Sequence, residues 1–182
     1  MQIITKEELL DRRDEFIEKI REGAIFIYPT DTIYGIGCNA LLDEPVKRIR
    51  EWKGRKTPFS VIAPDKDWIT KHCETKEDCI EHLPGPYTLV YPMKNQAVSK
   101  ETSEKTIGVR IPKHWISELV KDAGVPVITT SVNKTGEIPL FSLDNVQPEL
   151  RAFIDFAIDE GELKGRPSEV IDCTTGETLR KR

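Results

Sequence analysis

The chain has 182 residues, of which 38% are hydrophobic and 32% charged, excluding both a disordered chain and a membrane-embedded one. Its formal net charge of −4 lacks the basic surplus of nonspecific nucleic-acid binders, so any polyanion site must be a local concentration of Lys and Arg. A chain this long is expected to form one domain over 1–182, burying roughly 70% of its unfolded surface without a metal or disulfide staple.

The opening predicts a helix. Thr5 is an N-cap candidate and Glu8 completes a capping box, after which Leu9, Phe16, Ile17 and Ile20 recur at helical spacing until Gly23 ends the run. Residues 1–8 hold no apolar leader core, and no apolar run is long enough to span a bilayer, so a soluble cytoplasmic protein without membrane contact is expected. Residues 24–28 form a short apolar run of buried-strand type, ended by Pro29. A second helix is predicted over 45–52, with Asp43 or Glu44 capping and Val46, Ile49 and Trp52 on one face.

Further along, 59–63 reads as a strand and 67–73 and 76–83 as short helices; 87–91 and 106–111 are strands. A helix over 114–121 precedes a strand over 125–130, and a helix near 146–153 precedes three closing strands at 156–158, 169–173 and 177–180. Strands and helices mixed in this way predict an α/β domain of α+β type, with one twisted mixed sheet and flanking helices. Cys38, Cys73, Cys79 and Cys173 contain no C-x-x-C pair and read as reduced, scattered thiols. His72, Cys73, Cys79 and His82 are zinc-ligand types, but their spacing matches no ligand pattern, so no metal site is assigned.

Polar, small and basic residues collect at strand ends. After the strand at 24–28 come Thr30, Asp31, Thr32, Gly35 and Gly37, which read either as a ligand crevice or as a glycine-containing connection with satisfied threonines. Lys53-Gly54-Arg55-Lys56 follows a helix; its charges either complement the helix dipole or converge on phosphate, Gly54 letting the chain turn. Arg110 interrupts the apolar run Ile107 to Ile111, facing solvent or an anion. Thr129-Thr130-Ser131-Val132-Asn133 ends another apolar strand and either forms a turn or donates to a phosphate or carboxylate. There is no P-loop, no Ser-His-Asp arrangement and no H-E-x-x-H. The set suits positioning and charge neutralisation, as in phosphoryl or nucleotidyl transfer, rather than covalent catalysis.

In this order the segments resemble the YrdC family. Its P-T-[DE]-T-x-Y-G-[IL]-G loop stands at Pro29 to Gly37 and its K-x-R motif at Lys53-Gly54-Arg55. P-G-P-x-T is found at Pro84 to Thr88, V-R-[IL]-P at Val109 to Pro112 and S-x-N at Ser131-Val132-Asn133. Gly165 to Asp172 is similar to the family's G-x-x-S-T-V-[IV]-D.

The resemblance implies a sheet with a basic concave face. It also implies an L-threonylcarbamoyladenylate synthase, a nucleotidyltransferase consuming ATP, L-threonine and bicarbonate, with Mg²⁺ accompanying ATP. The product would feed downstream proteins of the tRNA threonylcarbamoyladenosine pathway. Direct binding of tRNA or double-stranded RNA, without this activity, is the alternative, and YciO-like branches share the domain.

Carried over by residue, Lys53, Arg55, Ser131 and Asn133 would serve catalysis. Lys53, Arg55, Thr106, Ser131 and Arg180 would hold ATP, and Thr32, Arg110, Thr129 and Ser168 would hold threonine, Arg110 on its carboxylate. Replacing Lys53 or Arg55 by Ala is then expected to lose most activity with little change in thermal midpoint. Three positions depart from the pattern: Pro139 replaces a nucleotide-binding Ser, Ile62 a threonine-contacting His, and Glu169 the Thr of S-T-V, bringing negative charge beside a polyanion site.

Overall fold

A computed structural model describes residues 1–181. The capping box forms as expected: the Thr5 amide donates to Glu8 Oε2 (2.7 Å) and the Glu8 amide to Thr5 Oγ1 (3.2 Å). The helix it opens is divided, α1 (Lys6–Asp11) and α2 (Arg13–Arg21) meeting at Arg12, whose φ of −119° and ψ of 30° leave the helical region. The sequence reading missed β1 (Gln2–Thr5), an edge strand with only Ile4 buried. The apolar run narrows to β2 (Phe26–Tyr28), and the glycine-containing loop after it returns as a strand, β3 (Gly35–Gly37), antiparallel to β2.

The remaining elements follow the expected order. They are α3 (Asp43–Lys53), β4 (Ser60–Ile62), α4 (Lys66–His72), α5 (Glu77–Ile80), β5 (Tyr87–Pro92), β6 (Thr106–Arg110), α6 (Ile116–Ala123) and β7 (Val127–Ser131). A 3₁₀ turn (Leu143–Asn145) and α7 (Pro148–Phe153) lead to β8 (Phe156–Asp159), β9 (Glu169–Asp172) and β10 (Glu177–Arg180). Neither Asp43 nor Glu44 caps α3; its N-cap is Leu42, without a side-chain bond, and both carboxylates lie in the first turn, where they favour the dipole.

The strands form one mixed sheet in the order β1-β8-β2-β3-β7-β4-β6-β5-β9-β10. Strand alternation gives its two faces different fates. One face carries Ile27, Ile36, Val61, Leu89, Tyr91, Ile107, Val109 and Ile128 into a core that also holds Val46 and Ile49 of α3, Ile69 of α4 and Ile80 of α5. On the other face Phe26, Tyr28, Ile62, Val127, Phe156 and Ile158 pack under Phe16 and Ile20 of α2 and Leu119 and Val120 of α6. Those two helices reach only part of the sheet. Where they stop, the residues at the same alternation are Ser60, Thr88, Val90, Thr106, Gly108, Arg110 and Thr129, and all line a cavity.

The cysteines require a correction. Cys79 of α5 and Cys173, just past β9, form a disulfide across a sequence separation of 94, with Cα atoms 6.0 Å apart. Parallel pairing of β9 with β5 brings them together, the Cys173 amide donating to the Val90 carbonyl at 3.0 Å, and no local Cys spacing could reveal it. Cys38 and Cys73 are free and buried, and burial pushes the Cys73 thiol up to about 11. The zinc-type residues are accordingly dispersed: His72 Nδ1 meets Asn95 Oδ1 (2.8 Å) and His82 Nδ1 the Cys79 carbonyl (3.0 Å).

Candidate functional site: a cavity on the uncovered half of the sheet

The cavity holds about 510 Å³. Its floor is built of small and hydroxylated side chains: a Cβ on Gly108 would lie 2.4 Å from Ser60 Oγ and 3.1 Å from Thr88 Cγ2, so only glycine lets these neighbours close over β6. Thr32, Arg55, Thr106, Arg110, Thr129, Ser131, Asn133, Ser168 and Arg180 all line it. They come from six stretches of chain widely separated in sequence, and the sheet order joins them.

The loop after β2 is fixed by Thr30. Its hydroxyl donates to the Ile33 carbonyl (2.8 Å), accepts from the Thr32 amide (3.1 Å) and lies 2.8 Å from Thr32 Oγ1. Asp31 in the same loop faces Arg110 at the end of β6, with Oδ1 2.6 Å from Nη2 and the pair largely buried. Its other oxygen accepts from the Lys113 amide at 3.0 Å. Thr32 Oγ1 is 3.5 Å from Arg110 Nη1.

Lys53 is the exception among the sequence-derived residues, because it does not line the cavity. The helix α3 ends on Gly54 in the left-handed region (φ 61°), and the turn sends the two flanking cations in different directions. Lys53 is only 4% exposed, and its ammonium donates to the backbone carbonyls of Ser131 (2.7 Å) and Asn133 (2.6 Å). Its own carbonyl accepts from the Thr135 amide (3.1 Å) and hydroxyl (3.0 Å), so Lys53 anchors the whole 131–135 turn. Burial first, then the charge of Arg55, lowers its pKa to about 8, with Glu137 opposing.

Arg55 reaches the cavity, stacked 5.1 Å over Phe59, with Nη2 on the Pro58 carbonyl (2.6 Å) and Nη1 near Thr130 Oγ1 (3.5 Å). Arg180 of β10 braces on Ser168, whose carbonyl lies 2.8 Å from Nη2 and whose hydroxyl meets Thr88 Oγ1 at 2.8 Å. Neither guanidinium has a carboxylate partner among the described residues. Burial, then the charges of Arg50 and Arg180, lowers the pKa of Arg55, so an anion placed between them relieves mutual repulsion. Arg55, Pro58 and Thr106 also open onto a groove of about 860 Å³ carrying Lys56, Lys100 and Lys105.

The departing positions resolve simply. Pro139 lines the cavity. Ile62 is fully buried in the core beneath α6 and does not line the cavity. Glu169 does not line the cavity: alternation along β9 turns it from Ser168 and Val170, and its Oε1 faces Thr178 Oγ1 at 3.4 Å, so it adds no charge to the cation cluster.

Sequence reasoning gave no site role to Ser60, Thr88, Gly108 or Gly165, although Thr88 and Gly165 stand in the motifs quoted above. A Cβ on Gly165 would fall 1.9 Å from the Thr32 carbonyl oxygen, so the 160–168 strap lies directly on that loop. The strap starts at Tyr34, whose hydroxyl donates to the Gly161 carbonyl (2.8 Å) and accepts from the Glu160 amide (2.9 Å). Alternation in 106–110 and 88–90 was the available signal for the floor.

A cavity of this size lined by hydroxyls, an amide and three guanidiniums is suited to binding and positioning an anionic ligand. The sequence signature of the Sua5/YciO/YrdC family, described as Telomere recombination, matches residues 18–181, and the chain belongs to that family. It is 32% identical over 180 residues to a threonylcarbamoyl-AMP synthase of Xanthomonas campestris pv. campestris, covering 92% of this chain and 96% of that one. Among solved structures it is similar to P. abyssi Sua5 complexed with L-threonine (TM-score 0.82, 29% identity), covering 95% of this chain and 54% of the Sua5 chain. E. coli YciO shares the fold (TM-score 0.84, 22% identity, 99% and 93% coverage).

Proposed function

We propose that this enzyme is a nucleotidyltransferase that makes threonylcarbamoyl-AMP from L-threonine, bicarbonate and ATP, releasing pyrophosphate. The observation that carries the reading is the convergence of nine sequence-distant residues on one cavity whose cations fall into two groups. Arg55 and Arg180, without carboxylate partners among the described residues, take the triphosphate, with Thr106, Ser131 and Asn133 donating around them. Arg110 takes the threonine carboxylate, with Thr32, Thr129 and Ser168 around the rest of the amino acid. Lys53 keeps its place in the reaction by fixing the turn that presents Ser131 and Asn133.

The threonine nitrogen adds to bicarbonate, and loss of water gives a carbamate. A carbamate oxygen then attacks the α-phosphorus, and the bond to the β-phosphate oxygen breaks as pyrophosphate leaves. The protein contributes orientation and neutralises charge on the phosphates. Magnesium enters as the counter-ion of ATP. No cluster of three or more His, Cys, Asp or Glu side chains stands ready to hold it among the described residues, and Asp31 is committed to Arg110, so no step is assigned to a protein-bound metal.

The product passes to downstream proteins that modify tRNA. A cytoplasmic location follows from that pathway, where the Cys79–Cys173 bond makes an exception to the usual reduced state of thiols. An RNA-binding domain without this activity is the weaker reading, because the cations meet inside a cavity of about 510 Å³ rather than along a stripe.

The test incubates purified protein with ATP, threonine and labelled bicarbonate and follows pyrophosphate and the labelled adenylate. Absence of product with active partner enzymes present, together with tight salt-sensitive tRNA binding, overturns the reading.

A further inference from the structure

The three guanidiniums of the cavity sit in unlike surroundings. Among the described residues, Arg55 and Arg180 bond only neutral oxygens, those of Thr57, Pro58, Thr130 and Ser168. Arg110 instead forms a 2.6 Å ion pair with Asp31, the side chains being 7% and 12% exposed. Asp31 is itself held, because its second oxygen accepts from the Lys113 amide at 3.0 Å. One carboxylate therefore ties the loop after β2 to the loop after β6 and places a fixed negative charge behind the only cavity guanidinium of β6.

The electrostatic consequence concerns which ligand goes where. An uncompensated Arg110 in this half-enclosed space would attract phosphate as strongly as Arg55 does. With Asp31 beside it, the Arg110–Asp31 pair carries no net charge, so a polyanion gains little from it and feels the carboxylate. A zwitterion gains on both counts: its carboxylate meets Arg110 while its ammonium is favoured by the field of Asp31. Discrimination arises from the repulsive element as much as from the attractive one.

We propose that Asp31 is a positioning residue that acts through Arg110 to determine specificity, reserving this end of the cavity for an amino-acid zwitterion and confining polyphosphate to the Arg55–Arg180 end. The assignment of the amino acid as threonine rests on the function proposed above; the exclusion of polyphosphate does not.

The experiment titrates inorganic pyrophosphate, without threonine, into wild type, Asp31→Asn and Asp31→Asn/Arg110→Gln by calorimetry. Wild type and the double variant should bind at a single site, whereas Asp31→Asn gains a second. A parallel titration compares L-threonine with 3-hydroxybutyrate, which lacks the ammonium. Asp31→Asn should weaken threonine about tenfold, equivalent to ~1.4 kcal/mol, while leaving 3-hydroxybutyrate unchanged or tighter.

A merely structural role for Asp31 would weaken both carboxylates alike and create no second pyrophosphate site. A folded Asp31→Asn protein with a single pyrophosphate site and wild-type threonine binding overturns the proposal. Should Asp31→Asn fail to fold, Asp31→Ser, which keeps an acceptor for the Lys113 amide, is read by the same criteria. If wild type binds no threonine, the proposed function fails, and the pyrophosphate count still decides the role of Asp31.

Discussion

Replacing Lys53 by Met removes a charge while nearly preserving side-chain volume, and it separates two views of the K-x-R motif. As a phosphate ligand, Lys53 should be dispensable to the fold. Its position says otherwise: the ammonium is buried and spans the carbonyls of Ser131 and Asn133 at 2.7 and 2.6 Å. Removing it strands two carbonyls at about 1–3 kcal/mol each, while relief of the ammonium's desolvation and methionine packing return part of the loss, leaving a destabilisation of about 2–4 kcal/mol. For a chain of this size that lowers the thermal midpoint by roughly 4–16 °C.

The pH dependence supplies a second readout. The folded-state pKa of about 8 lies below the ordinary lysine value of 10.5, so between these values the unfolded chain binds more protons. This group's contribution to wild-type stability therefore rises with pH from about 8 towards 10.5, and Lys53→Met lacks that rise. Calorimetric midpoints across this range, paired with ATP titrations, are the assay. An unchanged midpoint with abolished ATP binding would refute the anchoring role and restore Lys53 as a direct ligand.

Two further outcomes test the framework of the site. Gly165→Ala places a Cβ 1.9 Å from the Thr32 carbonyl oxygen, so the strap must lift; threonine affinity should fall at least about tenfold while the stability cost stays near 1–3 kcal/mol, read by calorimetry and thermal melting. Reducing the Cys79–Cys173 bond, or Cys79→Ser/Cys173→Ser, releases a link spanning 94 residues and should cost about 3–5 kcal/mol by denaturant titration; no loss would mean that pairing of β5 with β9 alone fixes the β9–β10 hairpin.

The order of elements was legible because local signals and tertiary packing agree along most of the chain. The Thr5–Glu8 box, the apolar faces of α3 and α6 and the apolar strands β2 and β7 each announce themselves within a few residues. Where the outcome depends on partners, sequence failed. β1 is a strand because β8 offers it a parallel edge, with Gln2 opposite Phe156, and its own residues are mostly exposed. β3 is a Gly-Ile-Gly stretch whose pairing follows from close approach: a Cβ at Gly37 would lie 2.0 Å from the Ile128 carbonyl.

At the candidate site, the sequence-derived residues other than Lys53 line one cavity, but the direction of each side chain was hidden. Lys53 and Arg55 look equivalent in K-x-R until the left-handed Gly54 turns one to a backbone turn and the other to the cavity. Asp31 carries no sequence mark of its role, because its partner lies 79 positions away. The disulfide was invisible for the same reason.

The proposed chemistry makes opposed demands on a single cavity, and the strand geometry meets them by distance. Pyrophosphate and threonine are both anionic at the groups that must be held, yet each has to occupy its own end if a carbamate is to face the α-phosphorus. Thr106 and Arg110 lie on the same side of β6, four residues apart, and an extended strand sets such positions about 13 Å from one another. At the Thr106 end the wall is shared with a groove lined by Lys56, Lys100 and Lys105 together with Glu101 and Glu104. At the Arg110 end a buried carboxylate cancels the charge. A sheet with cations of equal freedom at both ends would bind ATP in either direction. On the proposal above, a single Asp on a loop fixed by Thr30 breaks that symmetry, and the amino acid and the nucleotide would meet over Gly108, where the floor has no side chain to keep them apart.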